Sequence, residues 1–252
     1  MPFLLDLSEK PHPTSSLNIS DPTIGFPKEH KFDRQLEKGS QGCVDQCMHI
    51  PSSTVIAVKT IQYIQHTPQE VVFLRELPPH KSIVSYLGYH ENQPTPTTSS
   101  FILEYCPFGD LGDLYSRALD EGMSNFSEAF MWSVYSQLMS ALAFLHKGID
   151  AQNPQGCNDW RPIVHQDIKV ENVLVKSLGS KPDWSDIDIK LGDFGVSTYY
   201  DPADPNPLRY IGTTSNWSPE ISWKTKRLTP ASDVWAAAST CLLYTSLSGL
   251  AR

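Results

Sequence analysis

The sequence predicts an α+β fold in two unequal lobes, a small and mostly antiparallel β lobe carrying one helix, followed by a mostly helical lobe. Three observations predict it. Strand-like apolar runs crowd residues 43–50, 55–61, 84–90 and 101–105, with a single helix-like run at 70–77 among them. After Gly109 the period changes, and Phe130, Val134, Leu138, Ala141 and Leu145 recur in steps of three and four along one long helix, 126–146. The length, 252 residues with 40% apolar side chains, suits one large domain or two small lobes with a sizeable core.

Taken in order, residues 1–28 carry repeated prolines and Ser/Thr without a sustained period and read as a flexible tail. The opening MPFLLDLSEK has no basic start and no cleavage-like site, so it is not read as a signal peptide. The fold is expected to begin near Phe32, with the β lobe over about 32–105 and the helical lobe over about 106–252. The 70–77 helix should stop at Pro78 and Pro79, because the residue before a proline is pushed out of the helical region. Two polar, proline-bearing stretches, 147–162 and 177–186, read as surface insertions. The apolar segment 234–250 is interrupted by Ser239, Thr240, Thr245, Ser246 and Ser248, which makes a poor membrane span and a good core helix. No internal repeat is present.

Charge and cysteine usage narrow the function. A net charge of −8 argues against a nucleic-acid binder, which would show a basic face. Cys43, Cys47, Cys106, Cys157 and Cys241 are odd in number and scattered, without a Cys-x-x-Cys pair, so they suggest a reducing compartment and no zinc or redox site. The expected location is cytoplasmic, with the nucleus as the alternative.

Chemistry concentrates in two blocks. VHQDIKVENVLV places Asp167, Lys169 and Asn172 on one short loop behind His165, and LGDFG adds Asp193 on a tight Phe-Gly turn. Upstream lie the glycine-containing LEKGSQGCV (Gly39, Gly42, Val44), the strand VIAVK ending at Lys59, and FILEYCPFGDL. Downstream lie IGTTSNWSPE and SDVW. Blandly read, these are a hairpin turn, a solvated strand-end lysine, a strand running into a Pro-Gly turn, and a polar loop. In this order and spacing the chain resembles the catalytic domain of eukaryotic protein kinases, serine/threonine type.

That resemblance implies a bilobal kinase fold and phosphoryl transfer from ATP·Mg to a protein Ser/Thr hydroxyl. It assigns Asp167 to the acceptor hydroxyl and Lys169 to the charge of the transferring group. Asn172 and Asp193 become the magnesium ligands. Lys59 becomes the α/β-phosphate lysine, paired with Glu70 on the following helix because Leu74 and Leu77 share its face. Glu76 is the second candidate. Gly39, Gly42 and Val44 would cover the nucleotide. Ala57, Leu103 and Leu174 would line its pocket, and the backbone of Glu104 and Cys106 would meet the adenine edge. Asp110 is assigned to the ribose, a solvated turn aspartate being the alternative. His165 is expected to stack beneath Phe194, and Asp233 to tie down the catalytic-loop backbone.

The chain also departs from the family pattern. Glu37 replaces the first glycine of the loop and would weaken nucleotide binding if its carboxylate points inward. Gln166 replaces the arginine before the catalytic aspartate, which argues against switching by activation-loop phosphorylation. Asn216 and Ser218 replace a Tyr and an Ala. The family's fold continues beyond the helix that SDVW begins, so the resemblance implies an incomplete helical lobe, an apolar flank exposed along 234–243, and a Glu220 without its family arginine. The expected partners are ATP and a Ser/Thr protein substrate, with no nucleic acid and no membrane. Oligomeric state is left open. A kinase-shaped binding module without turnover and a non-functional fragment are the alternatives.

Overall fold

The computed structural model describes residues 26–39, 42–62, 66–123, 126–180, 184–203, 212–223 and 229–242. They fall into two compact units, one drawn from Leu7–Pro78 with Val84–Pro107, the other from Pro79–Ile83 with Phe108 onward.

The first unit is a five-stranded antiparallel sheet with one two-turn helix. Helix α1 (Phe26–Glu29) is a single turn leading into β1 (His30–Gly39), so ordered structure starts ahead of the expected boundary at 28, while the expected tail at 1–25 lies outside the described residues. β2 (Gly42–His49), β3 (Thr54–Gln62), helix α2 (Gln69–Glu76), β4 (Tyr86–His90) and β5 (Thr98–Glu104) follow, and the sheet order is β1-β2-β3-β5-β4.

The sheet's centre is where the sequence is most apolar. Ile56, Ala57 and Val58 of β3 lie opposite Glu104, Leu103 and Ile102 of β5, and the buried Ile56, Val58 and Ile102 join Cys47 in a core cluster. β1 was not among the strands expected from apolar runs. HKFDRQLEKG is polar, every residue after His30 is exposed, and its backbone pairing with β2 alone makes it a strand. α2 buries Val71, Phe73 and Leu74 and closes at Leu77, whose N–H still reaches the Phe73 carbonyl before Pro78 ends the helix.

The second unit contains α3 (Leu111–Asp120), α4 (Glu128–Lys147), β6 (Ile163–Val164), β7 (Val173–Ser177), β8 (Asp188–Leu191), β9 (Thr198–Tyr199), α5 (Pro219–Trp223) and α6 (Pro230–Leu242). β6 pairs with β9 and β7 with β8, both antiparallel. α4 is the expected long helix. Ser127 caps its start by accepting the Phe130 N–H, its Phe130–Val134–Leu138–Ala141–Leu145 face is buried, and Gly148 ends it in the left-handed conformation at φ 64°. The ring of Trp160 lies over Gly148, 2.7 Å from where a Cβ would project, so only glycine fits there.

Four expectations need correction. Pro79–Ile83 belongs to the second unit rather than to the β lobe, because Leu191 N–H donates to the Ser82 carbonyl (2.8 Å) and the His80 ring stacks on Phe144 at 4.7 Å. Helix α3 was not anticipated. The stretches 147–162 and 177–186 are not plain surface insertions: Trp160 packs on Phe144 and donates to the Leu145 carbonyl, and Trp184 is buried against Phe126 and Phe130. Finally, α6 is core on one face only. Ala237, Thr240 and Cys241 are buried, whereas Val234 and Trp235 are 40% and 49% exposed, as the expected apolar flank requires; residues 243–250 lie outside the described residues.

Candidate active site

The catalytic-loop residues gather in the second unit, where β6 delivers the chain to His165. Asp233, buried at the N-terminal end of α6, accepts the backbone N–H groups of His165 (2.8 Å) and Gln166 (3.0 Å), as the resemblance implied. Its Oδ2 also meets His146 Nε2 at 2.9 Å. These bonds hold Gln166 in a left-handed turn (φ 73°) that a non-glycine residue adopts only when its surroundings impose it. Gly212 packs over the Gln166 carbonyl so closely that a Cβ would sit 2.3 Å from the oxygen. His165 hydrogen-bonds the Gly192 carbonyl through Nε2 and meets Phe194 edge-to-face, at 4.9 Å and 67°, rather than stacked beneath it as expected.

Asp167 is held through both carboxylate oxygens. Oδ1 accepts the Thr213 N–H (2.9 Å) and the Thr213 hydroxyl (2.8 Å). Oδ2 faces Lys169 Nζ (3.1 Å) and Asn172 Nδ2 (3.2 Å). Burial works against the charged form of Lys169, but the bond and charge of Asp167, aided by Glu171 and Asp193, outweigh it and raise the ammonium above its ordinary value. Lys169 therefore stays protonated beside Asp167.

Asn172 sits at the end of a 3-10 turn, Val170–Asn172. Its Nδ2 donates to the Asp167 carbonyl at 2.7 Å, so the amide oxygen is the atom of this side chain that could serve a metal ion. The Gly192 N–H donates to the Asn172 carbonyl (2.9 Å), tying the loop to the turn where Asp193 adopts φ 58°. One amide oxygen and one carboxylate form a hard-oxygen donor set that suits magnesium shared with phosphate and water.

Asp110 is half-buried rather than a solvated turn aspartate. It caps α3, accepting the Asp113 N–H at 2.8 Å, and burial with the nearby Asp113 and Glu171 charges pushes its carboxyl up to about 6 despite the capping bonds. Leu174 of β7 is half-buried and bridges Asp110.

The remaining candidates lie in the first unit. Lys59 Nζ and Glu70 Oε2 are 2.7 Å apart with side chains only 12% and 5% exposed, and Lys59 also lies over the Phe101 ring; Glu76 is exposed. Val44 stands opposite Lys59, and Ala57 opposite Leu103, in the strand register. Gly39 and Gly42 pair at the tip of the β1–β2 hairpin, and Gly42 (φ 139°) passes so near Thr60 that a Cβ would lie 2.2 Å from its carbonyl oxygen. Glu37 Oε1 lies 3.5 Å from the Cβ position of Gly39, so the carboxylate does lean over the glycine stretch. Glu104 donates its N–H to the Ser85 carbonyl (3.0 Å), leaving only its carbonyl for an adenine edge, and the Cys106 side chain is buried.

Sequence reasoning missed three contributors. Thr213 stands out in the sequence only as part of IGTTSNWSPE, not as the residue holding Asp167. His146 carried no signal beyond its place on α4. Asn216, a departure from the family pattern, bonds the Ile168 carbonyl. Glu220 is not without a partner either, since the Ser232 hydroxyl donates to it at 3.5 Å.

A carboxylate held at both oxygens, an ammonium beside it and two side chains with oxygen donors make up, on an α+β frame, the constellation expected of the protein kinase class. Comparison with known proteins gives the same class: the family model for the protein kinase domain matches residues 30–251, and the chain belongs to that family. It is similar to the G2-specific protein kinase nim-1 of Neurospora crassa (30% identical, covering 86% of this chain and 26% of that protein). It is also similar to fin1 of Schizosaccharomyces pombe (28%, covering 86% and 30%) and to nimA of Emericella nidulans (31%, covering 83% and 31%), both G2-specific protein kinases. The chain thus spans less than a third of the length of these relatives.

Proposed function

We propose that this chain is an ATP-dependent protein serine/threonine kinase. The observation that carries the reading is the clamped Asp167, with one oxygen fixed by Thr213 and the other facing Lys169 and Asn172. In the mechanism this supports, Asp167 orients the acceptor hydroxyl and takes its proton, and Lys169 neutralises charge growing on the transferring group. Asn172 and Asp193 would hold magnesium, which when bound would supply positive charge to offset that of the phosphates. Lys59, kept extended by Glu70, would meet the α and β phosphates. A second reading, a kinase-shaped binding module without turnover, is favoured by the Glu37 carboxylate over Gly39.

Thermal unfolding with and without Mg·ATP tests the nucleotide part, run beside Asp193→Ala. The proposal expects a cooperative transition raised by Mg·ATP in the parent chain and not in the variant. A transition that Mg·ATP leaves unmoved in the parent chain contradicts it and favours the binding module.

A further inference from the structure

Asn216 and Ser218 both place polar groups where the family pattern has Tyr and Ala, and both are buried. Each has a partner. Ser218 Oγ donates to Ser232 Oγ at 3.3 Å, and Asn216 Nδ2 donates to the Ile168 carbonyl at 2.8 Å. Ile168 lies between Asp167 and Lys169, and its side chain is 1% exposed. The bond to its carbonyl fixes the peptide plane joining Ile168 to Lys169, and with it the direction in which Lys169 leaves the backbone.

Asn216 is itself held from two sides. Its N–H donates to the Thr213 carbonyl (3.0 Å) across the 3-10 turn Thr214–Asn216, and the Ser215 hydroxyl donates to its Oδ1 (3.2 Å), which aims the NH₂ edge at Ile168. One turn thus grips both sides of the catalytic pair, Thr213 at the Asp167 carboxylate and Asn216 at the carbonyl preceding Lys169. A tyrosine at this position offers no carboxamide to make this bond.

We propose that Asn216 is a positioning residue for phosphoryl transfer, its carboxamide clamping the peptide group between Ile168 and Lys169 so that Asp167 and Lys169 stand ready for the acceptor. The inference rests on the kinase reading and deepens it. Without the donor the Ile168 carbonyl is a buried acceptor lacking this bond, and the loop gains freedom where small displacements are costly.

The test uses the 252-residue chain with Asn216→Asp, which keeps the shape and removes the donor, Asn216→Ala, and Asn216→His, which restores an N–H. Amide hydrogen exchange is followed in peptides spanning 163–176, with the buried middle of α4 as internal reference, alongside steady-state transfer to a Ser/Thr peptide. The expected result is exchange in 163–176 faster by roughly 10-fold or more in the Asp and Ala variants with α4 unchanged. With it, kcat falls roughly 10- to 100-fold at nearly constant KM for both substrates, and Asn216→His recovers part of the loss. Unchanged exchange in 163–176 overturns the clamp whether or not any variant transfers phosphate, and a loss confined to KM overturns the positioning role. A parent chain that transfers no phosphate removes the proposed function and the catalytic role with it, and exchange alone then decides whether Asn216 holds the loop.

Discussion

Thr213 donates twice to a single oxygen of Asp167, through its backbone N–H at 2.9 Å and its hydroxyl at 2.8 Å. Thr213, 46 residues further along the chain, thereby sets the rotation of the Asp167 carboxylate. It does so with Gln166 in the position where the family pattern has a phosphate-pairing arginine.

Thr213→Val keeps the backbone bond and deletes the hydroxyl bond. A hydrogen bond to a charged group contributes about 1.5–3 kcal/mol to stability, so the melting temperature should fall by several degrees, and the loss of the carboxylate's fixed rotation should lower kcat roughly 10- to 100-fold. Thr213→Ser should retain most of the activity. Steady-state kinetics on both variants checks the pair.

Lys59 and Glu70 form an ion pair whose side chains are 12% and 5% exposed. Removing either partner alone leaves a charge without its counter-ion in a mostly buried place, which typically costs about 3–5 kcal/mol. Lys59→Met and Glu70→Gln should each lower stability, and the double variant should lose much less than the sum. Urea unfolding of all four proteins checks the non-additivity.

The blocks that carry chemistry were legible because their geometry is local. Asp167, Lys169 and Asn172 lie within six residues, so the sequence itself holds them near one another. Their supports were less legible because they come from far along the chain: Thr213 is 46 residues from Asp167, and Asp233 lies 68 residues beyond His165. Asp233 could be named only through the SDVW resemblance. In the fold, apolar runs located β3 and β5, whereas β1 is a strand by pairing alone and exposes nine of its ten residues. Helix α3 had a readable signature, the cap at Asp110 with Leu111, Leu114 and Ala118 on one buried face, but the following Gly112 and the Pro-Gly turn masked it. Trp160 and Trp184 sit in polar, proline-bearing surroundings, and periodicity gives no warning that a single large ring anchors such a loop.

Burial raises the Asp110 carboxyl from 3.8 to about 6, so the folded state binds its proton more tightly than the unfolded chain does. By linkage, stability attributable to this group declines as pH rises from about 4 to about 6 and is regained on acidification through the same window. Asp110→Asn keeps a good helix cap and has no proton to lose. Relative to Asp110→Asn, the parent chain should therefore lose stability between pH 4 and 6, which denaturation at a series of pH values will show.

Asp233 is buried and serves two backbone N–H groups and His146. Asp233→Ala leaves those donors without it, at about 1–3 kcal/mol for each orphaned group, and frees the strained turn at Gln166. Stability should drop by roughly 3 kcal/mol or more in urea unfolding, with exchange rising first in the catalytic loop.

The central claim is that Asp167 serves transfer to a protein hydroxyl. Its most direct test is incubation of the purified chain with Mg²⁺ and γ-labelled ATP and a mixture of Ser-, Thr- and Tyr-containing peptides, beside Asp167→Asn, followed by phosphoamino-acid analysis. The account predicts phosphoserine and phosphothreonine from the parent chain, reduced roughly 100-fold or more by the substitution. A folded parent chain that binds Mg·ATP yet labels no peptide, or one whose labelling is untouched by Asp167→Asn, would contradict it.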